Sequence, residues 1–293
     1  TTADNNTAVG KDALKANTTG TANTAVGTGA LDANTTASSN TAFGKDALGT
    51  VTTASYNTAV GMGALERSTA GTYNGAFGYI SLDHNTTGHY NNAYGYNSLG
   101  ANTTANANTA VGHSALATVT TNGNNTAVGY NALTTSTAEG NTAVGYESLR
   151  NNTTGYRNVS MGKESLKDNT TGNQNVAIGN NALEKNTTAD DNTAVGFQAL
   201  AAATTGGSNV AMGSDALAAM TTGEYNTAIG MQALSTITTA SSNTAVGKNC
   251  LNATTTGASN VSMGHNAMLT NTTGSENVGI GKSALLVNTT GAQ

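Results

Sequence analysis

Large apolar side chains are scarce in this chain, but they fall at fixed places. Val9 and Leu14 stand five residues apart, and the pair returns as Val26 and Leu31, then as Phe43 and Leu48, and so on to Ile280 and Leu285. The residues between them are small or polar. Around Val9 the order Thr7-Ala8-Val9 has the two-residue period of a short strand, with Thr and Val on one face and Ala on the other. The stretch after Gly10, Lys11-Asp12-Ala13-Leu14-Lys15, suits either a second short strand or a single helical turn.

The pattern is a repeat that runs through the whole chain. Asn-Thr-Ala-Val-Gly at residues 6–10 recurs in 17 copies spaced by 17 residues, with one 16-residue step between Asn125 and Asn141. The consensus is N-T-A-V-G-x-x-A-L-x-x-N-T-T-G-x-x. A fixed period of this length predicts a solenoid, each unit forming one coil that is stabilised by its neighbours. The chain therefore reads as all-β: a repetitive parallel β-solenoid, or β-roll, of 17 coils forming one continuous domain over residues 1–293. No polar capping unit is visible at either end, so the chain is expected to be a segment of a longer fibre protein or to have its ends covered by other subunits.

Three places never vary: Asn at the first (Asn6 and its equivalents), Gly at the fifth (Gly10) and Thr at the thirteenth (Thr18). The Gly suggests a corner with positive φ, or one where no Cβ fits. The Asn suits a turn and, stacked, an amide ladder; the Thr suits a hydroxyl ladder. By size, the core rows are expected at the fourth place (Val9, Phe43, Phe77, Tyr94, Ile178, Met212) and at the ninth (Leu14, with Met268 the one exception). The third-place Ala forms a ladder of tiny side chains against which other copies of the chain are expected to pack around the long axis. At about 4.8 Å per coil, 17 coils make a rod on the order of 80 Å. Charged residues such as Lys11, Asp12, Lys15, Asp46, Glu66, Arg67, Glu147 and Lys167 fall at the sixth, seventh, tenth and eleventh places, the solvated rim.

Composition narrows the function. Charged residues are 9% of the chain, aromatic residues 4%, Pro is absent and Cys occurs once. The net charge is −5, with 11 basic residues spread through the chain. That spread makes no phosphate-binding face, so nucleic acid is not an expected partner. One Cys excludes a disulfide scaffold. No apolar run approaches the length of a membrane span, so membrane insertion is not expected.

The motif resembles the tandem repeats of phage tail-fibre and bacterial surface-fibre proteins, some of which precede a self-cleaving chaperone domain. Asn158-Val-Ser-Met-Gly162, Asn175-Val-Ala-Ile-Gly179 and Asn260-Val-Ser-Met-Gly264 are also similar to the N-S-V-A-I-G coils of YadA-like trimeric autotransporter heads. The coil here is longer than that head coil by an A-L-x-x-N-T-T-G arm. The resemblance covers all 17 copies and implies a homotrimeric β-roll at the cell or virion surface, used for reach and attachment.

Candidate sites follow from departures within the repeat. Tyr79, Tyr96, His113, Tyr130 and Tyr146 occupy the sixth place in successive coils, and Tyr56, Tyr73 and Tyr90 the seventeenth. Each set predicts an aromatic stripe. It serves either to stiffen the rod by stacking, the reading favoured here, or to bind a cell-surface glycan or receptor with help from His84 and His89. N-x-T/S sequons at Asn17, Asn34, Asn85, Asn102, Asn152, Asn169, Asn186, Asn271 and Asn288 admit glycosylation, though turn chemistry alone accounts for them. The histidines (His84, His89, His113, His265) lack metal-ligand spacing, Cys250 fills a small-residue place, and Asp190-Asp191 is the only adjacent carboxylate pair. No catalytic residue, metal or cofactor is expected, and the chain is read as no enzyme.

The reading is an extracellular structural shaft or adhesin segment on a cell or virion. The alternatives are a self-assembling filament that joins end to end and, more weakly, an ice-binding solenoid. The latter needs two Thr rows on one face, whereas adjacent residues such as Thr18 and Thr19 point to opposite sides of a strand.

Overall fold

In a computed structural model that describes residues 2–291, the chain is all-β, and no helix occurs among the described residues. Each copy of the repeat contributes one three-residue strand at its second to fourth places, from Thr7–Val9 to Val278–Ile280. The described chain falls into two compact units, Thr1–Asn141 and Thr142–Gln293. In the first, strands from Thr7–Val9 to Thr126–Val128 pair in parallel, each with the next in sequence and with like residue opposite like place: Ala8 faces Ala25, which faces Ala42. In the second, strands from Thr142–Val144 to Val278–Ile280 do the same. Each unit is thus a parallel β-solenoid.

The strand is short because Gly ends it. At Gly10 φ is +130°, a backbone region that side-chain-bearing residues rarely adopt. A Cβ there would lie 2.7 Å from the carbonyl oxygen of Gly27 in the next coil. Both reasons for an unvarying Gly therefore hold at once. The residues that follow form neither a second strand nor a helical turn. They alternate into the left-handed region, with φ of +60° at Asp12 and +50° at Leu14, and a third left-handed residue, Ala22, precedes the next Asn. Leu in this conformation costs about 1–2 kcal/mol. Two gains offset it: burial of the side chain, and a hydrogen bond from the Leu14 N–H to the Ala30 carbonyl at 3.0 Å.

The interior differs from the size-based expectation. Ala25, Ala42, Ala59 and the other third-place residues beyond the exposed Ala8 of the first coil are buried, as are Leu31, Leu48 and the other ninth-place Leu side chains between the chain ends. The fourth-place residues face outward: Val9 is 57% exposed, Phe43 57%, Tyr94 42% and Met212 42%. One Leu per coil, with small Ala, Ser or Gly around it, fills the narrow space behind the strand. The strand must place its smallest residue inside because a larger one would not fit. The Ala ladder is therefore the coil's own core and not a surface for another copy.

Candidate functional site

Several sets of side chains repeat at the coil spacing, and two Asn sets lie inside. The first-place Asn does two jobs. The Asn23 N–H donates to Asn6 Oδ1 at 2.9 Å, and Asn23 Nδ2 donates across its own coil to the Ala37 carbonyl at 2.8 Å. Each amide thus joins neighbouring coils and also ties the strand to the far corner of its coil. Equivalent bonds recur in the second unit, as from the Asn175 N–H to Asn158 Oδ1 and from Asn175 Nδ2 to the Ala189 carbonyl. A second, inner Asn column stands at the twelfth place. There Asn34 Nδ2 donates to Asn17 Oδ1 at 3.0 Å and to the Ala37 carbonyl at 3.2 Å. Where an apolar residue follows in the column, as Val51, Val119 and Ala203 do, the last amide oxygen (Asn34, Asn102, Asn186) is buried with no hydrogen-bond partner.

The thirteenth-place Thr hydroxyl donates to the backbone of the next coil, Thr18 Oγ1 to the Thr35 carbonyl at 2.9 Å. The same carbonyl accepts the N–H of Thr18 and of Thr19. Thr18 and Thr19 lie at a bend, not in a strand, and both are exposed. Opposite sidedness, the ground for discounting two Thr rows, therefore does not apply to them.

The outward strand face carries the second- and fourth-place residues. In all 17 strands these are uncharged, with Thr or Val at the second place except at Gly75 and Asn92. Those two exceptions sit beside the paired rings of Phe77 and Tyr94, whose centroids are 4.7 Å apart and whose planes are 4° from parallel. A Cβ on Gly75 would lie 3.6 Å from the Phe77 ring and 3.9 Å from the Tyr94 hydroxyl. This local exchange of small for large was readable as the only break in the second-place Thr/Val row, but its meaning required knowing that both places face outward.

The Tyr residues form the expected columns in the first unit. Tyr56 and Tyr73 stack at 5.0 Å, and Tyr73 and Tyr90 at 5.4 Å. Tyr79 and Tyr96 are 5.7 Å apart and tilted, followed by His113 at 4.8 Å and Tyr130 at 5.2 Å. Both faces of Tyr73 are covered by its neighbours, so solvent meets ring edges and hydroxyls. His89 is tied down rather than presented: its Nδ1 accepts the Thr72 N–H at 3.1 Å and lies 2.8 Å from the Thr72 hydroxyl. His84 Nδ1 lies between Asp83 Oδ1 at 2.7 Å and the Gly100 carbonyl at 2.8 Å. Tyr146 belongs to the second unit and is 46% exposed.

Charges gather into a ladder in the second unit. Glu147 meets Arg150 at 2.9 Å and Lys167 at 3.2 Å, Lys167 meets Glu164 at 3.8 Å, and Lys185 meets Asp168 at 3.0 Å and Glu184 at 2.9 Å. Burial pushes the Glu147 carboxyl up. The Lys167 hydrogen bond and the Arg150 and Lys167 charges outweigh it and leave the group below its ordinary value. Burial likewise lowers Lys167, but its bond to Glu147 and the surrounding carboxylates raise it overall. Hydrogen bonds to Glu184 and Asp168 raise Lys185. Burial pushes up the thiol of Cys250, which donates to the Ser262 carbonyl at 3.2 Å and serves as packing.

No group of three or more His, Cys, Asp or Glu side chains able to hold a metal occurs among the described residues. No helix there is long and apolar enough to cross a membrane. Comparison of the chain with protein-family models and with curated proteins returns no match.

Proposed function

We propose that the protein is a structural shaft segment of an extracellular attachment fibre, on a cell or virion surface, whose protomers associate as a homotrimer through the outward strand face. One observation carries this reading: a parallel sheet with its outer face bare and uncharged. Parallel sheets ordinarily have both faces covered. In the second unit nine strands present this face. With strands about 4.8 Å apart and three residues at about 3.3 Å each, it spans on the order of 400 Å². That is the size of the largest apolar patch a monomer usually shows, and such patches mark interaction sites. Met161, Ile178, Met212, Ile229 and Met263 line it, each between 38% and 43% exposed. The 17-copy motif and its similarity to surface-fibre repeats support the location and the trimer in this reading.

The test is a charge placed on that face. Light scattering of the wild-type chain is expected to give three times the chain mass, and Ile178→Lys with Met212→Lys to give the single-chain mass with the β circular-dichroism signal retained. A wild-type chain that remains single at every concentration sinks the proposal. Masses that grow with concentration replace it with the end-to-end filament.

A second reading, in which the first unit binds a glycan or receptor, is favoured by the exposure of Tyr79, Tyr96 and Tyr130 at 46%, 45% and 45%. On that reading Tyr79→Ala with Tyr96→Ala abolishes attachment to glycan-bearing cells and leaves the fold intact. Unchanged attachment returns the columns to a stiffening role.

A further inference from the structure

The coil gives the twelfth-place N-T-T sequons and the sequon at Asn124 opposite fates. Asn34, Asn85, Asn102, Asn152, Asn169, Asn186 and Asn271 each head an N-T-T sequence at the twelfth place, and each is fully buried. Their Nδ2 atoms, the atoms an N-linked sugar would occupy, already hold the coil together. Asn102 Nδ2 donates to Asn85 Oδ1 at 2.8 Å and to the Ala105 carbonyl at 3.3 Å. Asn169 Nδ2 donates to Asn152 Oδ1 at 2.7 Å and to the Gly172 carbonyl at 2.9 Å. Asn186 Nδ2 donates to Asn169 Oδ1 at 2.7 Å and to the Ala189 carbonyl at 3.1 Å. A glycosylated amide keeps one N–H, so one of these paired bonds is lost, and the sugar must leave through a filled interior. By contrast Asn124, in Asn124-Asn125-Thr126, is exposed at a left-handed corner with φ of +61°.

We infer that an N-linked glycan on the inner Asn column and the closed coil are mutually exclusive, whereas Asn124 is a modification site the folded solenoid accepts. The chemistry is amide N-glycosylation by a lipid-linked oligosaccharide donor: the C–N bond forms at Nδ2 as the donor phosphate leaves and one amide proton is lost. The consequence concerns biosynthesis. A compartment that transfers such sugars to the unfolded chain blocks its folding; on the extracellular reading proposed above, the chain is exported by a route that does not expose its inner sequons to that transfer. The inference stands on the coil geometry and does not depend on the trimer.

The test sends the full chain through a eukaryotic secretory pathway in two forms. One is wild type. The other carries Thr→Ala at the exposed second Thr of each twelfth-place sequon (Thr36, Thr87, Thr104, Thr154, Thr171, Thr188 and Thr273), with Ser160→Ala and Ser262→Ala at the buried first-place sequons of Asn158 and Asn260, which removes the acceptor signals and leaves the buried Asn in place. Ala70 already occupies the equivalent place in its coil. Protease-resistant and protease-sensitive material are separated, and the glycans in each are located by peptide mass. The expected result is resistant material with no sugar on any inner Asn, sugar on Asn124 in that same fraction, inner-column sugar confined to sensitive material, and a resistant fraction increased several-fold by the Thr→Ala set. Sugar on Asn34, Asn102, Asn169 or Asn186 within resistant protein overturns the exclusion. Resistant protein that never carries sugar on Asn124, while sensitive protein does, overturns the accepting site.

Discussion

The two units share one interior and differ on their surfaces. Behind the strand both hold the same Asn, Ala and Leu rows, and both hold Leu in the left-handed region, as at Leu82 and Leu166. On the outside the first unit stacks rings: Tyr56, Tyr73 and Tyr90 in one column, and Tyr79, Tyr96, His113 and Tyr130 in another. Its ion pairs are isolated, as Lys15 with Asp12 and Lys45 with Asp46. The second unit instead holds two ion-pair groups, Glu147, Arg150, Lys167 and Glu164 in one and Asp168, Lys185 and Glu184 in the other, bridged into a ladder by Asn181 Nδ2 between Glu164 and Glu184. The difference shows which places are dictated by the coil and which are left to chemistry. Columns of rings or of charges that attract at the coil spacing fit outside, whereas the interior columns are held to Asn, Ala and Leu, with a few uncharged substitutes.

The strongest break in this comparison is a cavity in the common interior. Leu82→Ala and Leu166→Ala should each cost about 2–5 kcal/mol, equally in the two units, because the site is the same. Hydrogen exchange read coil by coil measures both, and unequal losses would mean that the interiors are not equivalent.

Next comes a pair of identical substitutions with opposite signs. Ser160 lies in a buried hydroxyl chain, accepting from Ser148 Oγ at 2.7 Å and reaching Ser165 Oγ at 2.5 Å. Ser262 occupies the same third place, and its hydroxyl is buried without a partner. Ser160→Ala should cost about 1 kcal/mol and Ser262→Ala should gain about as much. Thermal unfolding distinguishes them, and equal signs would refute the hydrogen-bond account.

Smaller effects sharpen the surface contrast. Tyr73→Ala, which removes two stacked contacts, should cost about 0.5–1.5 kcal/mol and be indifferent to salt. Lys167→Met should cost less than about 1 kcal/mol, and the cost should vanish in high salt. The ladder also sets a pH window for the second unit. Glu147 is lowered from 4.5, so its contribution is present above that value and is lost as pH falls through the folded value. Lys167 and Lys185 are raised from 10.5, so theirs is present below that value and is lost as pH rises through the folded ones. Exchange protection near residues 147–185 should therefore fall at both extremes.

Much of this architecture was legible in the residues. The 17-residue period, the Gly corner and the parallel strand at Thr-Ala-Val follow from spacing and from one conformational requirement. Sidedness was not legible. Size ranking puts Phe43 inside and Ala42 outside, and only the narrowness of the coil reverses that order. The left-handed Leu14 was equally hidden, since Leu carries no signature of positive φ; nothing in Lys11-Asp12-Ala13-Leu14-Lys15 announces two left-handed residues. Of the candidate sites, the Tyr columns were visible as spacing. The sealing of the inner sequons was not, because Asn-Thr-Thr reads alike whether its amide faces water or the core.

The single short repeat has a consequence for how such a chain can change. In the coil that starts at Asn125 one residue is missing, yet Asn125 Nδ2 still reaches a corner carbonyl, that of Ala138 at 3.0 Å, across 13 residues rather than the usual 14. The Asn141 N–H still donates to Asn125 Oδ1 at 2.9 Å. The deletion is absorbed at the Thr corner, after the Leu and before the closing carbonyl. That corner is a seam: length can be removed there without disturbing the Asn clasp, and a foreign peptide grafted there would be displayed beside a repeat that otherwise counts in seventeens.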